Sequence, residues 1–282
     1  MNRLQMGAEM AQMKVRAANV ELGGDRAAII APLMGKNASE LAQEARAVAG
    51  GRGADLVEWR VDHLSDISNP VIAGCAQVLR REVDLPILAT FRTEEQGGRG
   101  AVADYERVAL AVLEAEAADL LDVEYGLEQR RRVAFSAFEA GVPVVLSSHD
   151  FGATPGADEL VARMRQMQGE LLEWFEQFLD GADEDADVRS RGAGLVKVAY
   201  MPGSVMDSLR LAACARHFVD TFAQVPVIAV SMGEPGVFTR AFAAKFGSAA
   251  TFSSLGDDSA PGQIGLDALV AFDAATGCLS AH

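Results

Sequence analysis

The chain has 282 residues, half of them hydrophobic, which is enough for a full core and close to the usual size of one (β/α)8 barrel. Its formal net charge of −15 argues against nucleic acid or an anionic membrane surface as a partner. No stretch approaches the ~18 apolar residues of a membrane span, and the amino-terminal residues have no signal-peptide pattern. We therefore expect a cytoplasmic protein. The cysteines are widely spaced and odd in number, which argues against a disulfide framework or a metal site: Cys75, Cys214 and Cys278.

Short apolar runs alternate with segments of helical periodicity along the chain. Residues 1–27 are predicted to form an arm or hairpin that closes the bottom of a barrel, with Gly23-Gly24 as the turn signal. Eight candidate strands follow: Ala28–Leu33, Asp55–Val61, Pro86–Arg92, Asp119–Glu124, Pro143–His149, Gly194–Tyr200, Pro226–Met232 and Ser248–Ser253. This alternation is typical of parallel strands joined by helices, and eight units favour a closed barrel over an open sheet. The sequence thus predicts an α/β protein, a single (β/α)8 TIM barrel spanning residues 1–282.

The connection between the fifth and sixth strands is too long for a plain crossover. It includes a predicted helix, Met164–Leu179, and an acidic run, Asp180–Asp187, which we expect to be an exposed loop or partly disordered. We treat residues 164–191 as an insertion of helix and acidic loop. Its aromatic residues could cover a partner surface or cap the barrel, but packing of the extra helix onto its neighbour is favoured: Trp174, Phe175 and Phe178.

Charged residues accumulate near the carboxyl ends of the predicted strands, where the active site of a (β/α)8 barrel lies. They are Glu58, Arg60, Arg92, Asp122, Glu124, His149 and Lys197. Charges inside strands are costly unless they are paired or used in function. One interpretation is a buried ion network that fills the barrel, and the other is a catalytic site. In a mixed arrangement, some of these residues hold others in place.

Lys197 lies between Val196 and Val198 in an otherwise apolar run. Burial disfavours the charged amine, so its pKa falls and the neutral amine can attack a ketone or aldehyde to form a Schiff base. The alternative is a lysine whose amine extends from the strand end to solvent. The context favours the Schiff base.

His149 ends the preceding strand, and neighbouring parallel strands lie about 4.8 Å apart, so its ring can approach the Lys197 amine. An imidazole has the intrinsic pKa needed to move protons at neutral pH. Alone, His149 could equally be a capping or core histidine. The pairing with Lys197 makes it the candidate general acid and base.

The last two loops contain groups suited to binding an anionic, hydroxylated ligand. Arg240 can meet a carboxylate with a fork of N–H groups. Ser259 and Gln263 can hydrogen-bond substrate hydroxyls, although the Ser-Ala-Pro-Gly stretch taken alone is also a plain turn.

Taken together, these segments resemble type I 3-dehydroquinate dehydratase, a Schiff-base enzyme of the shikimate and quinate pathways. The matching stretches occur in the family's order: PLMGKNASE, VEWRVDHL, TFRTEEQGG, DVEY, SSHDFGATP, VKVAYMP, SMGEPGVFTR and FGSAATFSSLGDDSAPGQI. The resemblance implies a homodimeric barrel without metal or cofactor that dehydrates 3-dehydroquinate to 3-dehydroshikimate. It implies that Lys197 forms the Schiff base and that His149 is the general acid and base. The positions that match the family's substrate-binding residues are Glu58, Arg60, Arg92, Arg240, Ser259 and Gln263, with Met232 and Phe252 as apolar lining.

Three features depart from the family pattern. The family usually has a glutamate before the Gly-Gly that follows Arg92, and this glutamate orients the catalytic histidine. Here Gln96 occupies the position and Glu95 precedes it, so either residue could orient His149. Pro32 stands where some members have a serine near the substrate. Residues 164–191 form a segment longer than is usual in the family.

Two other functions compete with this interpretation. A second Schiff-base barrel, such as an aldolase, would need a phosphate cradle or an extra lysine or tyrosine near the imine. None is clear, although the Gly-rich loops after the seventh and eighth strands leave this function open. A non-catalytic sensor of quinate-pathway metabolites could use the same barrel. The presence of both Lys197 and His149 argues against a sensor, whereas Gln96 and the insertion leave it open.

Overall fold

The computed structural model describes residues 14–50, 52–181, 186–256 and 260–281. In these ranges, helices alternate with the strands of one large parallel sheet, and β1 (Val15–Ala17) and β2 (Val20–Leu22) form a separate antiparallel hairpin. The strands of the large sheet are β3 (Ala28–Leu33), β4 (Leu56–Arg60), β5 (Ile87–Thr90), β6 (Leu120–Glu124), β7 (Val144–Asp150), β8 (Gly194–Tyr200), β9 (Val227–Ser231), β10 (Ala250–Ser254) and β11 (Ile264–Gly265). The helices are α1 (Ala38–Val48), α2 (Asn69–Glu82), α3 (Tyr105–Glu114), α4 (Arg130–Glu139), α5 (Ala157–Gly181), α6 (Ala186–Arg191), α7 (Val205–Thr221), α8 (Val237–Ala241) and α9 (Leu266–Thr276). None of the helices in the described ranges has the length and apolar character needed to cross a membrane.

The large sheet has the order β11-β10-β3-β4-β5-β6-β7-β8-β9. It curls, and β9 approaches the start of β10. Ala249 N donates to Val227 O at 2.7 Å, and a parallel bridge joins Val227 to Ser248. Because the strands are parallel, their carboxyl ends all lie at one end of the curled sheet.

All eight predicted strands are present, and β3 and β8 have the predicted bounds. Five strands begin one residue later than predicted. Three of these begin after Pro86, Pro143 and Pro226, since proline has no N–H for the ladder. The predicted second and third strands were too long at their carboxyl ends. Val61 lies in a short 3-10 turn, and Arg92 lies beyond the end of β5.

Side chains of the sheet alternate between two environments, as a two-residue period requires. Val57 and Trp59 belong to the core between the sheet and the helices, whereas Leu56 belongs to a second apolar cluster on the inner side of the curl. The same alternation in β8 places Leu195 and Ala199 on the inner side. Glu58 in β4 and Lys197 in β8 therefore also face the inner side.

The hairpin covers the amino-terminal end of the curled sheet. Its residues Val15, Ala17 and Leu22 share an apolar cluster with the inner residues of the strands. This agrees with the predicted position of the hairpin, although residues 1–13 of the predicted arm lie outside the described residues. The predicted turn at Gly23-Gly24 was wrong, because the chain turns between β1 and β2 at Ala18, whose φ is 47°.

Helix α5 is longer than predicted, since it begins at Ala157 and continues to Gly181. The start of the predicted acidic loop is therefore helical, and residues 182–185 lie outside the described residues. Trp174 and Phe175 are buried, and the Phe175 ring lies 5.1 Å from that of Phe138 in α4. The aromatic residues thus pack α5 onto its neighbour, which is the favoured interpretation.

Candidate active site

A cavity lies at the carboxyl ends of the strands, where the active site of a (β/α)8 barrel lies. Ten of the residues predicted from the sequence line it: Glu58, Arg60, Arg92, Gln96, His149, Lys197, Met232, Arg240, Phe252 and Gln263. The rest of the lining comes from Gly97, Phe151, Ala199, Val230 and Ala260. Among the other predicted residues, Glu95 is exposed and does not line the cavity, and Ser259 lies outside the described residues. Pro32 is buried in β3 and does not line the cavity.

The Lys197 amine is buried among two carboxylates and an aromatic ring. Its Nζ lies 3.4 Å from Asp122 Oδ2, 4.0 Å from Glu58 Oε1 and 4.5 Å from the centre of the Phe252 ring. Burial lowers the pKa of Lys197 below its ordinary value. The carboxylates oppose this effect on the pKa, and the arginines Arg92 and Arg60 add to it. The amine therefore loses its proton more readily than an exposed lysine.

His149 lies on the same inner face, two residues further along its strand than the position paired with Lys197. In the β7–β8 ladder, Ser147 pairs with Lys197 and His149 pairs with Ala199. Burial lowers the pKa of His149 well below its ordinary value, and the positive charges of Arg92 and Lys197 lower it further. The imidazole is therefore neutral at pH 7 and can accept a proton.

Gln96 fixes the orientation of this imidazole. Gln96 Oε1 lies 2.9 Å from His149 Nδ1, so Nδ1 carries the proton and Nε2 keeps its lone pair. Gln96 ends a short 3-10 turn, Glu94–Gln96, and the next residue, Gly97, has φ 81°. The Phe151 ring lies against Gly97, where a Cβ would be 2.2 Å from Phe151 Cζ. This turn directs Gln96 inward and leaves Glu95 exposed.

Arg92 is the centre of a buried ion network. Its Nη1 donates to Glu124 Oε1 at 2.9 Å and to Ser147 Oγ at 3.1 Å, and its Nη2 lies 2.7 Å from Asp122 Oδ2. Thr93 also donates to Glu124, through its amide at 2.9 Å and its hydroxyl at 2.7 Å. The ion network considered in the sequence analysis is thus present, and it borders the cavity. The structure therefore agrees best with the mixed arrangement, in which some of these charged residues hold others in place.

Arg60 is held by a second buried carboxylate. Its Nε and Nη2 donate to the two oxygens of Asp62 at 2.9 and 2.8 Å. Asp62 also accepts from the amides of Arg92 at 3.3 Å and Arg99 at 3.2 Å. Asp62 therefore ties the end of β4 to the loop that carries Gln96.

The remaining wall of the cavity combines apolar groups with polar groups. Met232 and Phe252 are almost fully buried, and Arg240 in α8 donates from Nη2 to Pro261 O at 3.2 Å. Glu58 accepts a hydrogen bond of 2.9 Å from Thr90 Oγ1. Within the described residues, no group of three or more histidine, cysteine, aspartate or glutamate side chains is placed to hold a metal ion.

Several residues of this site were not selected from the sequence. Ser147 and Phe151 lie two residues before and after His149, so the strand period alone could have indicated Ser147. Asp62 lies two residues after Arg60, a spacing that suits a buried ion pair at a strand end. Nothing in the sequence marks Gly97 as a site residue except its place in the Gly-Gly pair.

Comparison with known proteins identifies the family. The family model for type I 3-dehydroquinase matches residues 29–170 and 186–272. The 3-dehydroquinate dehydratase of Shigella flexneri is 34% identical over 261 residues, which are 90% of this chain and 95% of that protein.

Solved structures agree with the sequence comparison. The 3-dehydroquinate dehydratase of Geobacillus kaustophilus is 31% identical, with a TM-score of 0.80 and coverage of 94% of this chain and 96% of that one. The type I enzyme of Clostridium difficile, solved with covalently modified comenic acid, is 30% identical with a TM-score of 0.78, covering 93% of this chain and 96% of that one. The chain therefore belongs to the type I 3-dehydroquinase family.

Proposed function

We propose that the chain is a 3-dehydroquinate dehydratase, a hydro-lyase that converts 3-dehydroquinate to 3-dehydroshikimate through a Schiff base on Lys197. One observation carries the proposal. A buried lysine with a lowered pKa and a histidine with an available Nε2 line the same cavity of a type I 3-dehydroquinase fold. The reaction belongs to the shikimate pathway of aromatic biosynthesis, and quinate breakdown uses the same chemistry.

In the first half of the reaction, the neutral Lys197 amine attacks the C3 ketone of dehydroquinate. The C–N bond forms, and the carbonyl oxygen takes one proton from the amine and one from the medium. It leaves as water, and a protonated imine results. The imine acidifies the C2–H bond, because the electrons released there move toward the positive nitrogen. His149 Nε2 takes this proton, as the 2.9 Å contact between Gln96 and Nδ1 leaves Nε2 as the accepting nitrogen.

In the second half, the same imidazolium returns a proton to the C1 hydroxyl. The C1–O bond breaks, water leaves, and the double bond forms between C1 and C2. Hydrolysis of the imine then restores the Lys197 amine and releases dehydroshikimate. One group can act as base and then as acid because the proton that it takes from C2 is the one that it returns to the C1 hydroxyl.

The polar lining suits a small hydroxylated carboxylate. Arg60, Arg92 and Arg240 line the cavity and can bind the carboxylate and the polar edge of the ring through pairs of N–H groups. Met232 and Phe252 offer apolar contact to the carbon skeleton. We propose that Glu58, Ser259 and Gln263 bind the hydroxyl groups.

We also infer that β3 to β10 close as a single (β/α)8 barrel domain, with the inserted segment 164–191 between β7 and β8. The contacts from Val227 to Ser248 and Ala249 support the closure. The family model leaves residues 171–185 unmatched, which supports the insertion. We further propose that the protein is a cytoplasmic homodimer that acts without a metal or cofactor, and sedimentation of the purified protein in a chelating buffer tests the dimer.

Incubation with dehydroquinate tests the function. Product is followed by the ultraviolet absorbance of the conjugated enone, and borohydride trapping followed by peptide mass spectrometry locates the adduct. We expect product and an adduct on Lys197. Lys197→Met should lose both, and His149→Asn should trap the ketone but dehydrate it slowly. Binding without adduct or product would instead support the metabolite sensor, and an absence of binding would contradict the substrate assignment. An aldolase would cleave a carbon–carbon bond, which the product spectrum reveals.

A further inference from the structure

Asp122 is a buried carboxylate to which the sequence analysis gave no catalytic part. It lies in β6 and is 3% exposed. Its Oδ1 accepts a hydrogen bond of 2.7 Å from Ser147 Oγ, and its Oδ2 lies 2.7 Å from Arg92 Nη2 and 3.4 Å from Lys197 Nζ. Both oxygens are therefore held, and one of them faces the amine that we propose reacts.

The charged groups around Lys197 come from three strands and one loop. They are Glu58 and Arg60 from β4, Arg92 from the loop after β5, Asp122 from β6 and His149 from β7. The residues that β9 places beside Lys197, such as Ile228, are apolar. Asp122 is the carboxylate nearest to the amine, since Glu58 lies 4.0 Å away and accepts a hydrogen bond from Thr90. Burial is the largest cause that lowers the pKa of the amine, Arg92 and Arg60 lower this pKa further, and the two carboxylates raise it.

Ser147 links the carboxylate to the strand that pairs with β8. Ser147 is the direct partner of Lys197 in the β7–β8 ladder, and it also accepts a hydrogen bond of 3.1 Å from Arg92 Nη1. Asp122, Arg92 and Ser147 therefore form a closed set of contacts directly beside Lys197. This set leaves Asp122 little freedom to turn away from the amine.

We propose that Asp122 is a positioning residue for Lys197, which holds Nζ toward the cavity and supplies the negative charge that accompanies its cationic states. The inference rests on the proposed function. The nitrogen is cationic as an ammonium, loses one proton to attack the ketone, and is cationic again in the protonated imine once water has left. A fixed carboxylate favours both cationic states over the neutral amine. Asp122 thus stabilises the imine and raises the pH at which the amine becomes free.

The substitution Asp122→Asn tests the charge. An opposite charge within about 4–6 Å raises an amine pKa by roughly 1–3 units, so its removal should move the acid limb of imine trapping on Lys197 to lower pH by about that much. The rate at saturating substrate should fall about tenfold or more, since the imine loses its counterion. The trapping rate is measured from pH 5 to 10 by borohydride reduction and mass spectrometry.

Glu124→Gln is the matched control. Glu124 lies on the same strand and binds the same Arg92, but Asp122 is the carboxylate that contacts Lys197. We expect the acid limb of Glu124→Gln to stay at the wild-type pH, whatever happens to the overall rate. Equal profiles for Asp122→Asn and Glu124→Gln would overturn the proposal, because a general weakening of the network would then explain both.

Two further variants separate charge from placement. Asp122→Glu keeps the charge and should restore the wild-type acid limb, although its longer side chain lowers the rate. Ser147→Ala keeps the carboxylate but removes the hydrogen bond to Oδ1. Imine trapping on Lys197 should therefore slow several-fold, while its acid limb stays at the wild-type pH. If Asp122→Asn does not fold, Ser147→Ala decides, and a wild-type trapping rate there overturns the proposal. Failure of the proposed function is distinct, because the wild type itself would then give no adduct.

Discussion

The contact between Gln96 and His149 allows a sharp test, the substitution Gln96→Glu. The two side chains have nearly the same shape, so a carboxylate oxygen takes the place of Gln96 Oε1, 2.9 Å from His149 Nδ1. In the wild type, burial and the charges of Arg92 and Lys197 keep the pKa of His149 well below 6.5. A negative charge at hydrogen-bond distance acts in the opposite direction, because it stabilises the imidazolium.

The expected size of this effect follows from the distance. An opposite charge this close raises a pKa by about 1–3 units, and each unit corresponds to about 1.4 kcal/mol in favour of the imidazolium. Proton removal from substrate needs the neutral imidazole, so the acid limb that His149 contributes to kcat/KM should move to higher pH. Proton return to the C1 hydroxyl uses the imidazolium, so Gln96→Glu should slow this step less than it slows proton removal from the substrate.

The pKa of His149 is measured directly by nuclear magnetic resonance of labelled histidine, since the chain has only four histidines. The resonance that is missing from the spectrum of His149→Asn belongs to His149. The pH profiles of kcat/KM are recorded for the same variants. The matched control is Glu95→Gln, which changes an exposed carboxylate one residue away that does not line the cavity. The reasoning is refuted if Gln96→Glu leaves the pKa of His149 in place, or if Glu95→Gln shifts it as much.

Three other substitutions probe the surroundings of the site. Asp62→Asn breaks the buried fork to Arg60 and should cost about 3–5 kcal/mol in the free energy of unfolding, with a higher KM. Urea unfolding and initial rates check this, and a loss under about 1 kcal/mol would contradict it. The pKa of His63 is lowered to about 4, by burial and then by Arg60. The folded protein keeps His63 neutral, whereas an unfolded histidine takes up a proton below its pKa of 6.5. The contribution of His63 to the free energy of unfolding is therefore complete above pH 6.5, and about 2 kcal/mol of it is lost as pH falls from 6.5 to 5. His63→Gln should remove that part of the pH dependence of unfolding, and an unchanged slope would argue against it. Gly97→Ala should be destabilised by about 1–2 kcal/mol from its left-handed backbone, plus a clash with Phe151. The double variant with Phe151→Ala should be less destabilised than the sum of the single variants, and strict additivity would disprove the contact.

The sequence indicated the strands because a strand buried on both faces is an almost uninterrupted apolar run. Their ends were less certain, since the chain leaves the ladder at residues such as Val61 whose apolar character continues the run. The hairpin turn was misplaced because Gly23-Gly24 is a strong turn signal, whereas Ala18 adopts φ 47° without one. The start of α5 was missed even though Asp158 and Glu159 form the acidic first turn typical of a helix.

The residues of the site were predictable where a polar side chain interrupts an apolar run, as Lys197 and Glu58 do. The pairing of these residues was not predictable, since it depends on how the curled sheet brings distant strands together. The choice between Gln96 and Glu95 depends on a short 3-10 turn that ends at a left-handed Gly97. Sequence spacing does not fix such a turn, so both residues stayed candidates until the structure showed which one meets His149.

The hairpin packs against the amino-terminal end of the curled sheet, on the side opposite the strand ends that carry the site. Val15, Ala17 and Leu22 fill that end together with an apolar layer that includes Leu56 and Leu195. This apolar layer separates the charged residues of the site from the amino-terminal end of the curled sheet. We expect both waters of the proposed cycle, one from imine formation and one from the C1 hydroxyl, to leave at the carboxyl ends of the strands, where the cavity lies.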